Sequence, residues 1–335
     1  MFFKRFLALL SARNKEFLRD RSSVSWNIIM PVLIVLGFAY TFTGDFADQY
    51  KVGIANGTAG NAAIAAFQQT KYIEFIPIKD INQAVVKVQR HQLDMLIDAA
   101  TNRYWINNES PKGYLVEKVM PASLKSILHK QTVSGKQIRY VDWVIPGILS
   151  MNMMFSALFG VGYVIVRYRK NGMLKRLKAT PVSAFEYLGA QIISRLLLIM
   201  VITIFIFYGT NLIIGYAMFG SQLSLFLVFA LGAINLISLG LIVAARTHSE
   251  ETAGGLLNLI TWPMMFLSGV WFSLEGTNPV MQKLAQILPL THITAAARAI
   301  MIDGAGLGDV SYHLLVLIGQ TIVFLIVGAW LFRWE

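Results

Sequence analysis

Long uncharged runs dominate the pattern of apolar and polar positions along this chain, and one mixed segment interrupts them. Residues 22–44, 143–166, 196–245, 252–274 and 314–332 carry no Asp, Glu, Lys or Arg. A helix rises ~1.5 Å per residue, so about 20 apolar residues cross a ~30 Å hydrocarbon layer. The run 196–245 would reach ~75 Å as one helix, so it must fold back on itself as two spans. Gly215 and the group Gly220-Ser221-Gln222 are its turn candidates. The pattern therefore predicts six spans.

Other periodicities fill the gaps. Over residues 1–21, Phe3, Phe6, Leu7, Leu10, Phe17 and Leu18 fall on one helical side and Lys4, Lys15 and Arg19 on the other. This predicts an amphipathic helix lying in the membrane interface, with Asn14 as a polar exception on the apolar face. Residues 45–139 mix charges of both signs with short apolar runs. Strands are expected at 51–55, 72–78, 93–99 and 103–106, and helices at 61–69, 80–92 (capped by Asp80) and 111–130. The alternation predicts a small α/β domain. Residues 278–303 predict two helices too short to cross, 281–287 and 292–302, forming a re-entrant hairpin stopped by Gly304, Gly306 and Gly308.

Composition turns this pattern into a class. The 335 residues are 56% hydrophobic and 14% charged, with a mean hydropathy of +0.57. An integral membrane protein follows, and the net charge of +11 is read as orientation rather than as nucleic-acid binding. Lys4, Arg5, Arg13, Lys15, Arg19 and Arg21 precede the first span and put the N-terminus inside, so 45–139 is expected outside and both termini in the cytoplasm. Cysteine is absent, which excludes disulfides and thiolate chemistry.

Candidate chemistry is sparse. No G-x-x-x-x-G-K-[ST] occurs, no uncharged run carries the carboxylate of a proton relay, and His91, His129, His248, His292 and His313 are scattered without metal-ligand spacing. No catalytic or metal-binding residue is expected. The chain thus has a membrane pathway without an energy source. Attention falls on the basic segment 167–183, where Met173, Leu174 and Leu177 share one helical face and Lys175 and Lys178 the other, between Gly172 and Thr180-Pro181.

That segment also carries a resemblance. Residues 171–183, N-G-x-L-K-R-L-K-A-T-P-V-S, followed by Glu186-Tyr187-Leu188-Gly189, resemble the motif after the second span of ABC-2 type transporter permeases. Pro263 to Val270 resembles the P-x-x-F-L-S-G signature of the fifth span. Asp142-x-x-Ile145-Pro146-Gly147, Leu288-Pro289-Leu290-Thr291 and Ala297-Arg298 fit the same family, in the subset with an extracytoplasmic α/β domain.

The resemblance implies a permease dimer, as homodimer or heterodimer, above two separate ATPase subunits. ATP and Mg belong to those partners, and this chain carries no cofactor. Residues 1–21 would be the elbow helix, 22–44 the first transmembrane helix, 45–139 the outside domain, and 140–335 the remaining spans with a coupling helix at 171–181. The ATPase-coupling candidates are Asn171, Gly172, Leu174, Lys175, Arg176, Leu177, Thr180 and Pro181, with Arg246, Glu250 and Glu251 in a second inside loop. Asn152, Met153 and Phe155 in the second span and Trp262, Met265 and Phe266 in the fifth are candidates for the substrate pathway; lipid-facing or helix-packing roles stay open for them.

The expected function is ATP-driven export of a hydrophobic or amphipathic substrate from a bacterial inner membrane, with a periplasmic adaptor as a further expected partner. The alternative is a non-transporting complex that passes an ATP-driven mechanical signal to an envelope partner through the outside domain.

Overall fold

The structure is a computed structural model that describes residues 2–19, 28–29, 31–32, 35–36, 50–55, 62–78, 80–135, 138–247, 249–274 and 278–332. Most of the expected first span therefore lies outside the described residues. The chain forms two compact units, residues 42–139 and residues 1–41 with 140–335.

The smaller unit is built on a five-stranded sheet: β1 (Tyr50–Ala55), β2 (Ile73–Ile78), β3 (Met95–Asp98), β4 (Arg103–Asn107) and β5 (His129–Val133), in the order β2-β1-β3-β4-β5. All pairs are parallel except β3–β4. Its helices are α2 (Ala62–Gln68), α3 (Ile81–Gln89), α4 (Pro111–Val119) and α5 (Ala122–Lys125). Ile64, Phe67, Val116 and Leu124 join Val52, Ile54, Met95 and Ile97 in one core, while Ala84 and Val88 join Ala55, Leu93 and Leu96 in a second. Asp80 caps α3 by accepting the Asn82 N–H at 2.9 Å.

The expected helix 111–130 is corrected. α4 ends at Val119, Pro121 separates it from α5, and residues 129–133 form an edge strand. A proline lacks the N–H that would continue the first helix.

The larger unit is helical. Helix α1 (Phe2–Arg19) is followed, after the smaller unit, by α6 (Tyr140–Lys170), α7 (Met173–Lys178), α8 (Ala184–Ile214) and α9 (Gln222–Arg246). Then come α10 (Glu250–Leu267), α11 (Pro279–Ala285), α12 (Pro289–Arg298) and α13 (Ser311–Leu331). Among the described residues, α6, α8, α9 and α13 are long and apolar enough to cross a membrane. The hairpin turns where glycine permits it, with Gly215 left-handed at φ 58° and Ser221 capping α9.

The fifth expected span is shorter than its uncharged run. α10 stops at Leu267, and Ser268 to Leu274 is non-helical, with Gly269 at φ 67°. A left-handed residue ends a helix, and glycine takes that conformation without a Cβ penalty. Among the described residues, two π-turns interrupt the helical unit, at Phe159–Tyr163 within α6 and at Ala299–Asp303 after α12.

Candidate coupling site

Helix α7 is a two-turn element with a defined start, stop and mount. Asn171 and Gly172 turn the chain out of α6, with Gly172 at φ 70° and no heavy atom within 4 Å of where a Cβ would stand. Arg176 N–H then closes on the Gly172 carbonyl at 3.2 Å. At the far end Thr180 bonds the Leu177 carbonyl with both its N–H (3.0 Å) and its hydroxyl (2.6 Å). Pro181 follows, and Ser183 begins α8 in a reciprocal cap with Glu186. Leu174 is 0% exposed and fixes α7 to the bundle, Leu177 is half-buried, and Lys175, Arg176 and Lys178 stand in solvent. Met173 and Phe185 are also exposed, Phe185 at 78%. The outward surface is therefore basic with apolar inserts.

Several polar contacts tie this surface to its neighbours. Arg5 on α1 donates to the Pro181 carbonyl and lies 3.4 Å from Glu186. Arg13 donates to the Tyr168 hydroxyl at 2.7 Å and to the Gly160 carbonyl at 3.2 Å. Asn14, the polar exception on α1, accepts a hydrogen bond from Ser194 of α8, which accounts for an amide on that face. Between α1, α7 and α8 lies a cavity of about 150 Å³ lined by Leu9, Met173, Leu177 and Tyr187, among others.

Across the bundle, Glu250 sits 3.8 Å from Arg167 and 3.6 Å from Lys170. A hydrogen bond from Tyr163 and these two cations hold its carboxyl below the ordinary range, against partial desolvation. Glu251 is likewise lowered, chiefly by its Ser249 partner. The Arg246 side chain lies outside the described residues.

The structure separates the pathway candidates. Met153 is fully buried inside the subunit and Met265 nearly so, whereas Asn152 and Phe155 are half-buried. Trp262 and Phe266 are exposed on α10, stacked with ring centroids 6.1 Å apart, and continue a stripe with Leu256 and Leu259. Gly254 and Gly255, a pair suited to close helix packing, meet no heavy atom within 4 Å of an added Cβ in this chain. Gly162 does pack closely, against Leu257 and the Gly240 carbonyl. Gly160 leaves room for the guanidinium of Arg195, which bonds the Ser156 carbonyl at 2.8 Å.

At the other end of the bundle the signature residues form one joint. Arg298 donates to the Gly269 carbonyl at 2.9 Å and the Trp143 carbonyl at 3.2 Å, with its charge 3.6 Å above the Trp143 ring. Asp142 accepts the Ala217 N–H at 3.1 Å. His292 and His313, scattered in the sequence, are brought together with Nδ1 atoms 2.9 Å apart, and His292 Nε2 lies 2.7 Å from the Gln286 carbonyl. Among the described residues no three His, Cys, Asp or Glu side chains gather as a metal site.

Sequence reasoning misses Arg169 and Arg195. Neither stands out from the other cations in the sequence, and both are buried against backbone carbonyls. Charge counts contain no signal for this distinction.

Comparison with known proteins agrees with this architecture. The probable multidrug ABC transporter permease YbhS of Escherichia coli (strain K12) is 20% identical, covering 96% of this chain and 95% of its own. The inner membrane transport permease YhhJ of the same organism is 27% identical over 46% of this chain and 42% of its own. Nodulation protein J of Neorhizobium galegae is 32% identical over 30% of this chain and 38% of its own. The family model described as ABC-2 family transporter protein matches residues 21–330, and the chain belongs to that family.

Proposed function

We propose that this protein is the membrane subunit of an ATP-driven exporter in a bacterial inner membrane, paired with a second permease subunit and served by two separate ATPase subunits. The observation that carries the reading is α7: a short helix, mounted by buried Leu174, that presents Met173, Lys175, Arg176 and Lys178 to solvent. A rigid element of this kind can transmit a rigid-body push. ATP and Mg would bind on the partner chains, and residues 171–181 would receive the motion. Glu250 and Glu251 supply a second contact loop, and both termini lie on that same cytoplasmic side.

The substrate class is hydrophobic or amphipathic: a drug, peptide, lipid or glycolipid. The exposed Trp262 and Phe266 on α10 support it, because aromatic surfaces accept varied apolar ligands. The likeness to a permease named as a probable multidrug transporter points the same way. Copurification with the ATPase tests the coupling reading. Arg176→Glu and Leu177→Asp should each weaken assembly or ATP turnover in the complex; wild-type assembly and turnover in both variants would overturn it. An ATPase activity stimulated only by a hydrophilic saccharide would overturn the substrate class.

A further inference from the structure

The last carbonyls of an α-helix have no partner within the helix. α9 ends without a glycine cap, since Thr247 is extended at φ −79° and ψ 129°. One guanidinium takes the place of that cap. Arg169 Nη1 donates to the carbonyls of Ala244 at 2.8 Å and Thr247 at 2.5 Å, and Nη2 to Ala245 at 3.1 Å. Arg169 is 8% exposed, and Ala244 and Ala245 are fully buried; their small side chains let the fork reach the backbone. The cation also lies at the negative end of the α9 dipole. A lysine brings the same charge without the planar fork.

Arg169 stands two residues before the Asn171-Gly172 turn that starts α7. The end of α6 that carries α7 and the end of α9 are therefore joined at this end of the pair by this side chain, beyond the packing of Gly162 on Gly240 further along the two helices. Arg167 and Lys170 reach Glu250 of α10 at 3.6–3.8 Å with half-exposed side chains, a weaker tie that salt screens.

We infer that Arg169 is the positioning residue that makes α7 and α9 move as one body, so that a displacement of α7 arrives at the far end of α9 beside Ser221. The inference rests on the coupling reading and extends it by naming the helix that receives the motion.

The absence of cysteine makes the test direct. Lys175→Cys and Leu223→Cys, both at exposed positions, carry spin labels in the full chain assembled with its ATPase in lipid nanodiscs. The 175–223 distance is measured without nucleotide and with ATP and vanadate. In the otherwise wild-type chain the distribution should be one narrow peak, unchanged by nucleotide. With Arg169→Lys it should lose that single peak and respond to nucleotide. A nucleotide-dependent distance without the Arg169 substitution overturns the inference, and this arm stands even where Arg169→Lys does not assemble. So does an Arg169→Lys distribution identical to its parent in both states. A thiol-reactive crosslinker on the single variant Lys175→Cys reads the underlying premise separately. Capture of the ATPase keeps the coupling reading; no capture sinks that reading and the inference with it.

Discussion

Leu174 is the one fully buried side chain of α7, with Leu177 half-buried beside it, and its burial decides whether α7 has a fixed position. Leu174→Ala should cost about 2–5 kcal/mol, the range for truncating a buried leucine. Lys175→Ala, at an exposed position, should change stability by no more than ~0.5 kcal/mol. Thermal unfolding of the two variants in detergent checks the contrast.

In the smaller unit, Asp94 is 5% exposed and accepts the Lys51 N–H at 2.7 Å. Burial raises its pKa above 3.8, and that hydrogen bond only partly opposes the shift. A raised carboxyl favours folding while protonated and loses that contribution as pH rises through its folded value. Asp94→Asn, which mimics the protonated form, should therefore stabilise the unit more at pH ~7 than at pH ~4. Glu117 has the opposite sign. Burial would raise it, but Lys130 and Tyr104 hold it below 4.5, so its contribution is lost as pH falls. Unfolding midpoints at the two pH values give both answers.

At this scale the sequence was legible where backbone conformation dictates residue type, as at Gly172, Gly215 and Asp80. It was silent where a side chain's partner is a distant carbonyl, as for Arg169 and Arg298.

Among elements, α1 shows how docking is distributed over several polar contacts. Arg5 reaches Pro181 and Glu186, Arg13 reaches Tyr168 and Gly160, and Asn14 holds Ser194. The double substitution Arg5→Ala and Arg13→Ala should speed hydrogen exchange across residues 4–16 by at least tenfold and leave exchange in α9 unchanged. An unaltered α1 would mean that its apolar face alone fixes it. The amphipathic pattern made α1 readable as a helix, but its polar partners come from chain segments more than 140 residues away.

The missed strand β5 has a different cause. Among the described residues His129-Lys130-Gln131-Thr132-Val133 pairs with β4 alone, and it is largely exposed, so neither alternation nor apolar content marks it. The early end of α10 was hidden for a third reason. Ser268 to Leu274 stays uncharged after helical geometry has stopped: Ser268, Gly269 and Val270 are buried at the joint with Arg298, while Phe272 and Ser273 are exposed.

For the whole molecule, the division into two units follows composition. Residues 42–139 close their own core around a sheet, while the helical unit leaves long apolar faces on α8 and α13 open to a lipid environment. Its basic end combines exposed Lys175, Arg176 and Lys178 with exposed Met173 and Phe185. A contact made through that surface, as proposed for the ATPase, would be partly salt-sensitive, since the Debye length falls from ~8 Å at 0.15 M to ~3 Å at 1 M salt. Retention of the ATPase on the immobilised chain should fall several-fold over that range. Reversal of all three cations to glutamate should abolish it at every salt concentration, while the chain stays monodisperse by gel filtration. Retention by the triple variant would show that the basic face does not make the contact.

The π-turn at Phe159–Tyr163 places one more residue in its turn than an α-helix holds. It therefore sets the phase of everything that follows in α6. Were the turn to close to plain α without losing a residue, the downstream helix would rotate by about 100° and advance by ~1.5 Å, and Arg169 would swing away from the end of α9. Removing one residue from within 159–163 should absorb the bulge and keep Arg169 in phase. Removing one from the plain helix at 148–155 should turn it out of phase. Position along the chain, rather than the number of residues lost, would then decide whether the two helices stay joined.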